Sequence, residues 1–130
     1  MNEDSRAGTY LFLCRSYYDT QSTTAPPAHS FCGLIVAGDS EVFEGRALYY
    51  DGKPSNIRGS WTSQNLSFTS KRDDRRIPES YNLRPVRPVS SGEWTGTWNN
   101  TTLGRSTKRA DLRLRRLSAE DLSILRLLKE

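Results

Sequence analysis

The sequence contains no long apolar run. The 130-residue chain nowhere approaches the ~20 consecutive apolar residues that a membrane-spanning helix needs. A secretory signal would start with basic residues and continue with a long apolar stretch, whereas this chain starts with the acidic and polar segment Met1–Arg6. The apolar stretch Tyr10–Cys14 is too short for a signal and is typical of a β-strand. We therefore expect a cytoplasmic protein without a membrane segment, or a piece of a longer chain.

Cysteine and histidine are scarce. Cys14 and Cys32 lack the Cys-x-x-Cys spacing, and His29 is the single histidine, so the sequence does not supply the ligands of a zinc site. We expect no metal and no cofactor. Two interpretations of the cysteines stay open. They form one disulfide between adjacent strands, or they are two buried thiols that act as small apolar groups, which a cytosolic chain favours.

No recognisable catalytic motif is present. A nucleophile such as Cys32 or Ser30 would have to pair with His29, and spacing alone does not establish that geometry. The net charge is only +4, and without a dense basic run the chain does not favour nucleic-acid binding. These absences favour binding without catalysis over enzymatic activity.

The length suits one domain with one hydrophobic core over residues 1–130. Within it, about eight short segments alternate apolar and polar residues, the period of a half-buried β-strand. Turn residues such as Asp51-Gly52 separate them. This pattern predicts an all-β domain, an antiparallel up-and-down meander or barrel. The predicted strands are residues 9–18, 31–37, 41–50, 56–63, 65–71, 79–87, 92–98 and 109–116.

Two of these segments share the motif Gly-x-Trp-Thr. They are Gly59-Ser60-Trp61-Thr62 and Gly92-Glu93-Trp94-Thr95, and the second continues with Gly96-Thr97-Trp98. Alternation places the glycines and tryptophans of each segment on one strand face. Glycine lets a sheet bend sharply, and tryptophan fills the concavity that the bend creates. The motif therefore predicts a curved sheet with Trp61, Trp94 and Trp98 on its concave side.

A Gly-x-Trp strand followed by a second tryptophan-bearing strand, in a meander with short loops, resembles the calycin barrels, the group of lipocalins and avidins. The residues that carry this resemblance are Gly59-x-Trp61 and Gly92-x-Trp94-x-Gly96-x-Trp98. In lipocalins the Gly-x-Trp belongs to the first strand, whereas both copies lie mid-chain here. The resemblance implies that the three tryptophans face a barrel interior.

An interior lined with aromatic rings would suit a small apolar ligand or a protein segment. Small inward residues such as Gly45 and Ala47 would leave room, and tyrosine hydroxyls would orient the bound molecule. Alternatively, the rings fill the core themselves, since a barrel of about eight strands is just wide enough for side chains or one small ligand. We predict a non-catalytic binding module with an aromatic-lined interior. Its predicted ligand-binding residues are Trp61, Trp94, Trp98, Tyr10, Tyr49 and Tyr81.

Near the C-terminus the spacing of the apolar residues changes from that of a strand to that of a helix. Ser118-Ala119-Glu120-Asp121 is a variant capping box, and leucines follow at helical spacing, which predicts a helix over about residues 119–129. So short a helix needs a surface to dock on. We expect it to lie on the outward apolar residues of its own barrel rather than on another chain. Those residues are Leu11, Leu13, Leu34 and Val36.

Arginines concentrate in the last third of the chain. A charge run is usually a solvated face, but Arg113 and Arg115, which point outward from the last strand, could also meet an acidic partner. The alternative function is therefore a protein-interaction or assembly module that uses this arginine-bearing face and the C-terminal helix. A homo-oligomer is one form that such an assembly could take.

Overall fold

The computed structural model describes residues 7–17, 29–38, 40–76, 78–86, 92–100 and 108–129. Eight antiparallel strands form a closed barrel, in which each strand pairs with the next and the last pairs with the first. One helix follows. The elements are β1 (Gly8–Ser16), β2 (His29–Ala37), β3 (Val42–Tyr49), β4 (Pro54–Trp61), β5 (Leu66–Arg72), β6 (Glu79–Pro85), β7 (Glu93–Asn100), β8 (Lys108–Arg116) and α1 (Ala119–Lys129). The predicted all-β up-and-down barrel with a short C-terminal helix is confirmed.

Alternation along each strand sorts the side chains between the interior and the outer surface. In β5, Leu66, Phe68 and Ser70 are buried inside the barrel, whereas Lys71 is exposed. All eight strands contribute to the core. Its buried members are Phe12, Cys14, Phe31, Ile35, Ala37, Phe43, Ala47, Tyr49, Ile57, Trp61, Leu66, Phe68, Tyr81, Leu83, Trp98, Ala110, Leu112 and Leu114.

Interior glycines let neighbouring strands approach closely. A Cβ atom on Gly59 would lie 2.2 Å from the carbonyl oxygen of Ser67 and 2.5 Å from the Cβ of Phe68. A Cβ on Gly96 would lie 2.1 Å from the carbonyl oxygen of Asn82. All three distances are far below van der Waals contact, so the glycines of the two tryptophan motifs permit the curvature that closes the barrel.

The β3–β4 hairpin turns at the predicted Asp51-Gly52 pair. Gly52 has a φ of +83°, which side-chain-bearing residues rarely adopt, and its N–H donates to the carbonyl oxygen of Tyr49 over 2.8 Å. The Asp51 carboxylate accepts a hydrogen bond from the N–H of Lys53 over 3.2 Å. The turn residues therefore act as their sequence signal predicts.

The two cysteines lie on opposite faces of the sheet. Cys14 is inside the barrel and buried, Cys32 is exposed on the outer surface, and both are free. In the strand register Cys32 is opposite Leu13 rather than Cys14. The disulfide interpretation is therefore wrong, and the buried-thiol interpretation holds only for Cys14. Burial raises the pKa of the Cys14 thiol well above its ordinary value, which makes it inert rather than nucleophilic.

Helix α1 begins with the predicted capping box. The Ser118 N–H donates to the Asp121 carboxylate over 3.0 Å, and the Asp121 N–H donates to the Ser118 hydroxyl over 3.1 Å. The hydrogen bond from the Ser118 backbone lowers the pKa of Asp121. Within the described residues, no helix is both long enough and apolar enough to cross a bilayer.

The expectation that α1 docks on its own barrel is wrong. Leu127 and Leu128 of α1 are 70% and 77% exposed, and on the barrel Leu11 and Val36 remain 43% and 57% exposed. The helix therefore leaves both of these apolar surfaces uncovered.

The connection between β8 and α1 is held by a backbone hydrogen bond and an ion pair. The N–H of Leu117 donates to the carbonyl oxygen of Thr9 over 2.9 Å, and Leu117 is buried. Arg115 at the end of β8 pairs with Asp121 in the first turn of α1 over 3.4 Å. These contacts fix the start of the helix at the end of the barrel where β1 begins and β8 finishes.

Candidate functional site

The six aromatic residues predicted to bind a ligand lie on the inner side of the barrel, but at two heights. We call the end where β1 starts and β8 finishes the upper end, and the opposite end the lower end. Strand direction and register place three of the residues at each end. The upper group is Tyr10, Trp61 and Trp94, and the lower group is Tyr49, Tyr81 and Trp98.

The upper group combines one buried ring with two partly buried ones. Trp61 is buried, whereas Tyr10 and Trp94 are half-buried and pack against the core. Tyr10 meets Trp61 edge-on at a centroid distance of 5.0 Å, and the ring centroid of Phe43 lies 5.3 Å from that of Trp61. The buried indole N–H of Trp61 has no hydrogen-bond partner among the described residues. The upper end therefore presents accessible aromatic surface beside an unused donor.

The three rings of the lower group are buried and packed against other aromatic rings. Tyr81 and Trp98 stack with centroids 6.2 Å apart, and the indole N–H of Trp98 donates to the carbonyl oxygen of Tyr17 over 3.0 Å. Tyr49 stacks on Phe31 at 4.7 Å. These rings pack against one another and close the lower half of the interior.

Aromatic and aliphatic side chains fill the centre of the barrel. Phe68 and Tyr81 stack at 4.5 Å with 5° between their planes, and Phe31 meets Phe12 edge-on at 6.0 Å. A cavity of about 10 Å³ remains at the centre, which is room for about one water molecule. A ligand must therefore bind at an end of the barrel or displace core side chains.

Four polar residues lie buried inside the lower end, and we call them the lower polar layer: Ser16, Ser55, Ser70 and Glu79. The Tyr49 hydroxyl lies 2.8 Å from the Ser70 hydroxyl and donates to Glu79 Oε1 over 3.1 Å. Ser70 in turn donates to Ser55 over 3.2 Å. The Ser16 and Tyr81 hydroxyls are 3.1 Å apart. The sequence reasoning missed this layer, although polar residues at inward positions of four strands were a usable signal.

Burial controls the ionisation of this region. It raises the pKa of the Tyr49 hydroxyl above its ordinary value, and the nearby Glu79 charge adds to the effect. Burial likewise raises the pKa of Tyr81 well above its ordinary value. Both phenols therefore stay neutral near neutral pH and serve as hydrogen-bonding groups rather than as bases.

Arg72 closes the rim of the lower end. Its side chain is almost fully buried and pairs with Asp51 over 2.9 Å and with Asp74 over 3.0 Å. Its guanidinium carbon lies 4.8 Å from the centre of the Tyr49 ring. The hydrogen bond from Arg72 lowers the pKa of Asp74. Both ion pairs of Arg72 are therefore directed to the rim and not to Glu79.

The two arginines predicted to bind a partner lie on the outer face, as expected from alternation. Arg113 is 69% exposed and pairs with Glu93 over 2.8 Å, and Arg115 is 67% exposed and pairs with Asp121 over 3.4 Å. Arg113 also lines an open groove of about 390 Å³ beside Leu13 and Trp94. Exposed pairs of this kind are weak, so both side chains can exchange their present partners for others.

No family model, curated protein or solved structure matches this chain. The closed eight-stranded antiparallel barrel has the general shape of a calycin barrel, and a barrel with a buried aromatic cluster has the shape of a binding module. Across the part of the chain that the structure describes, no three or more His, Cys, Asp and Glu side chains cluster to hold a metal ion.

Proposed function

We propose that this protein is a non-catalytic, cytoplasmic binding module with a calycin-type barrel. It takes a small apolar ligand or an apolar protein segment at the mouth of its upper end. Tyr10, Trp61 and Trp94 are the contact residues at this mouth. The single observation that carries the proposal is the half-buried ring of Tyr10 against Trp61, whose buried indole N–H has no acceptor among the described residues; the half-buried Trp94 lies in the same half of the barrel.

The lack of empty space at the barrel centre argues against a ligand there. The central cavity of about 10 Å³ is too small for an organic ligand. At the mouth a ligand would cover the exposed parts of Tyr10 and Trp94 without moving the core. Burial of apolar surface contributes roughly 25 cal/mol per Å² before ordering costs, so these two rings would supply most of the affinity.

The buried indole N–H of Trp61 favours a ligand that carries one hydrogen-bond acceptor. A buried N–H without a partner costs about 1–3 kcal/mol, and a carbonyl or ether oxygen at the mouth would remove that cost. A largely apolar molecule with one such oxygen therefore suits the site. An extended peptide segment, with a backbone carbonyl between apolar side chains, has the same chemistry.

A thermal-shift and native mass spectrometry screen of apolar, acceptor-bearing compounds and peptides tests this proposal. We expect binders that stabilise the wild type and lose most of their effect in Trp94→Ala. Thr97→Ala, an exposed change on the same strand, is the matched control and should respond like the wild type. The proposal fails if Trp94→Ala greatly destabilises the barrel and no binder emerges for the wild type.

A second candidate function is assembly through α1 and the outer face, and the exposure of α1 favours it. Ile124, Leu127 and Leu128 are at least half exposed on an 11-residue helix, which is too short to be stable in isolation. A partner that covers these residues would stabilise α1. The chain carries a suitable apolar surface in Leu11 and Val36, so a second copy is the simplest partner.

Light scattering of the purified protein tests this second candidate. Assembly predicts a dimer or larger species that Leu127→Asp with Leu128→Asp converts to a monomer. Charge reversal by Arg113→Glu and Arg115→Glu should weaken assembly but leave ligand binding at the upper mouth unchanged. A wild type that stays monomeric at high concentration would exclude self-assembly.

A further inference from the structure

The outer surface of β1, β2 and β3 carries a continuous set of apolar side chains, which we call the outer apolar patch: Leu11, Leu13, Cys32, Leu34, Val36 and Leu48. In the strand register Leu11 is opposite Leu34, and Cys32 lies between Leu13 and Leu48, so these side chains are neighbours on one face. Leu11, Val36 and Leu48 are 43%, 57% and 56% exposed. A contiguous exposed patch of this kind marks an interaction surface.

Helix α1 carries an apolar stripe that is equally exposed. Ile124, Leu127 and Leu128 lie at positions i, i+3 and i+4, so they share one face of the helix, and each is at least half exposed. Glu120 lies four residues before Ile124 and extends the same face towards the start of α1. This face therefore has an acidic end and an apolar remainder.

The stripe and the patch match in spacing. Three successive outward positions of β1 lie about 6.6 Å apart along the strand, and they are Arg15, Leu13 and Leu11. Three positions of the α1 face lie about 6 Å apart along the helix, and they are Glu120, Ile124 and Leu128. With the start of the helix towards the lower end of the barrel, an acid meets an arginine and apolar side chains meet apolar side chains.

The charges at the ends of the two series are also complementary. Arg15 and Glu120 are exposed, and no ion pair within the described ranges involves either of them. Asp111 is opposite Arg15 in the register, but it pairs with Arg109 over 3.4 Å. An arginine beside an apolar patch and an acid beside an apolar stripe fix the direction in which the helix lies on the sheet.

We propose that α1 docks on the outer apolar patch of a second copy of this chain, whose own α1 docks on the first in return. Ile124 contacts Leu13 and Cys32 of the second copy, and Glu120 pairs with its Arg15. A symmetric exchange buries both surfaces of both chains, which doubles the contact area towards the roughly 1,200–2,000 Å² of a stable interface. The inference rests on the second candidate function, assembly with a second copy, and adds to it the contact residues and the direction of the helix.

Cys32 permits a cross-linking test, because it is exposed whereas Cys14 is buried. In Ile124→Cys the introduced thiol would lie beside Cys32 of the second copy, so copper–phenanthroline oxidation should give a covalent dimer on a non-reducing gel. Arg126→Cys, an exposed position on the opposite side of α1, is the matched control and should remain largely monomeric. A disulfide within one chain, identified by mass spectrometry of an oxidised monomer, would overturn the exchange.

Removal of Cys32 separates docking on the sheet from pairing between two helices. Cys32→Ser combined with Ile124→Cys should no longer cross-link, because the patch has lost its thiol. A covalent dimer that persists in this variant would show that the two α1 helices meet each other, and it would refute docking on the patch.

Charge reversal tests the direction of the helix. Arg15→Glu or Glu120→Arg alone should raise the dimer dissociation constant by at least about fivefold, because the pair occurs twice in a symmetric dimer. The combined variant should recover most of the wild-type affinity, as measured by sedimentation velocity. A combined variant that remains as weak as the single variants would contradict the pairing of Arg15 with Glu120.

The failure of this inference is distinguishable from the failure of assembly itself. A wild type that stays monomeric at high concentration removes the second candidate function and the helix exchange together. A wild-type dimer that shows neither the cross-link through Cys32 nor the recovery by combined charge reversal keeps the assembly and refutes the exchange.

Discussion

Tyr10 and Trp61 meet edge-on at a centroid distance of 5.0 Å, although their strands do not pair with each other. β1 pairs with β2 and β8, and β4 pairs with β3 and β5, so the contact spans the interior from one wall to another. It sets the phenol ring edge-on against the buried indole, with 81° between the ring planes. A ligand that contacts Trp61 at this mouth is therefore expected to contact Tyr10 as well.

The tryptophans of the second motif should differ in what they contribute to stability. Trp98 is fully buried and hydrogen-bonded, so Trp98→Ala should lower the free energy of unfolding by about 3–5 kcal/mol. Trp94 is half-buried, and Trp94→Ala should cost only about 1–2 kcal/mol. Urea denaturation measures both. Equal losses would mean that Trp94 is a core residue and would remove it from the proposed mouth.

A methyl group at Gly59 should damage the barrel. Its Cβ would lie 2.2 Å from a backbone oxygen of the neighbouring strand, so Gly59→Ala should destabilise the fold by about 1–3 kcal/mol or more through forced strand separation. Gly38→Ala is the matched control, because a Cβ there meets nothing within 4 Å, and its change should stay within about 0.5 kcal/mol. Thermal denaturation compares the two, and a harmless Gly59→Ala would disprove the close-approach argument.

The barrel should lose stability in alkali. Burial and the Glu79 charge raise the pKa of Tyr49 in the folded state, whereas tyrosine in an unfolded chain ionises near about pH 10. The folded protein therefore keeps a proton that the unfolded chain releases. This contribution to stability is intact below the unfolded pKa and falls as pH rises above it, by up to about 1.4 kcal/mol per pH unit.

Tyrosine variants test this pH dependence. Tyr49→Phe should flatten the decline in the free energy of unfolding above about pH 10, even though it loses the hydrogen bond to Glu79 at neutral pH. Tyr50→Phe changes a 71% exposed neighbour and should keep the slope of the wild type. Urea unfolding at a series of pH values gives these slopes. An unchanged slope in Tyr49→Phe would contradict the attribution to that phenol.

The capping box should hold α1 without affecting the barrel. Ser118→Ala removes the hydroxyl that accepts the Asp121 N–H and should destabilise the helix by about 1 kcal/mol. The barrel transition should not change, because α1 leaves the strands uncovered. Ser123→Ala, in the exposed middle of α1, is the control and should keep or raise helicity, since alanine has the higher helix propensity. Amide exchange in α1 measures both, and an equally protected helix in Ser118→Ala would contradict this role.

The sequence predicted the strands and the faces of the sheet well, because alternation is a local signal. Trp61 and Trp98 lie inside the barrel where the motif places them, and α1 has the predicted span. The height of each residue along the barrel was not predictable. It depends on the stagger between paired strands, which no single strand encodes, and this stagger separates Tyr10 from Tyr81.

Two features could not be predicted from the residue pattern within single strands or helices. The docking of α1 was inferred from apolar surface alone, but the contacts of Leu117 and Arg115 decide where the helix starts. The lower polar layer joins Ser55, Ser70 and Glu79 from three strands. Alternation places each of them at an inward position of its own strand, but only the closed barrel brings them together.

The most direct test of the upper mouth follows the three indole N–H signals by NMR during titration with 1-acetylnaphthalene, a planar apolar probe that carries one carbonyl oxygen. The account predicts saturable shifts of the Trp61 and Trp94 signals, with the Trp98 signal unmoved and no loss of the barrel core. A titration in which only Trp98 responds, or in which neither Trp61 nor Trp94 moves, would contradict binding at that end.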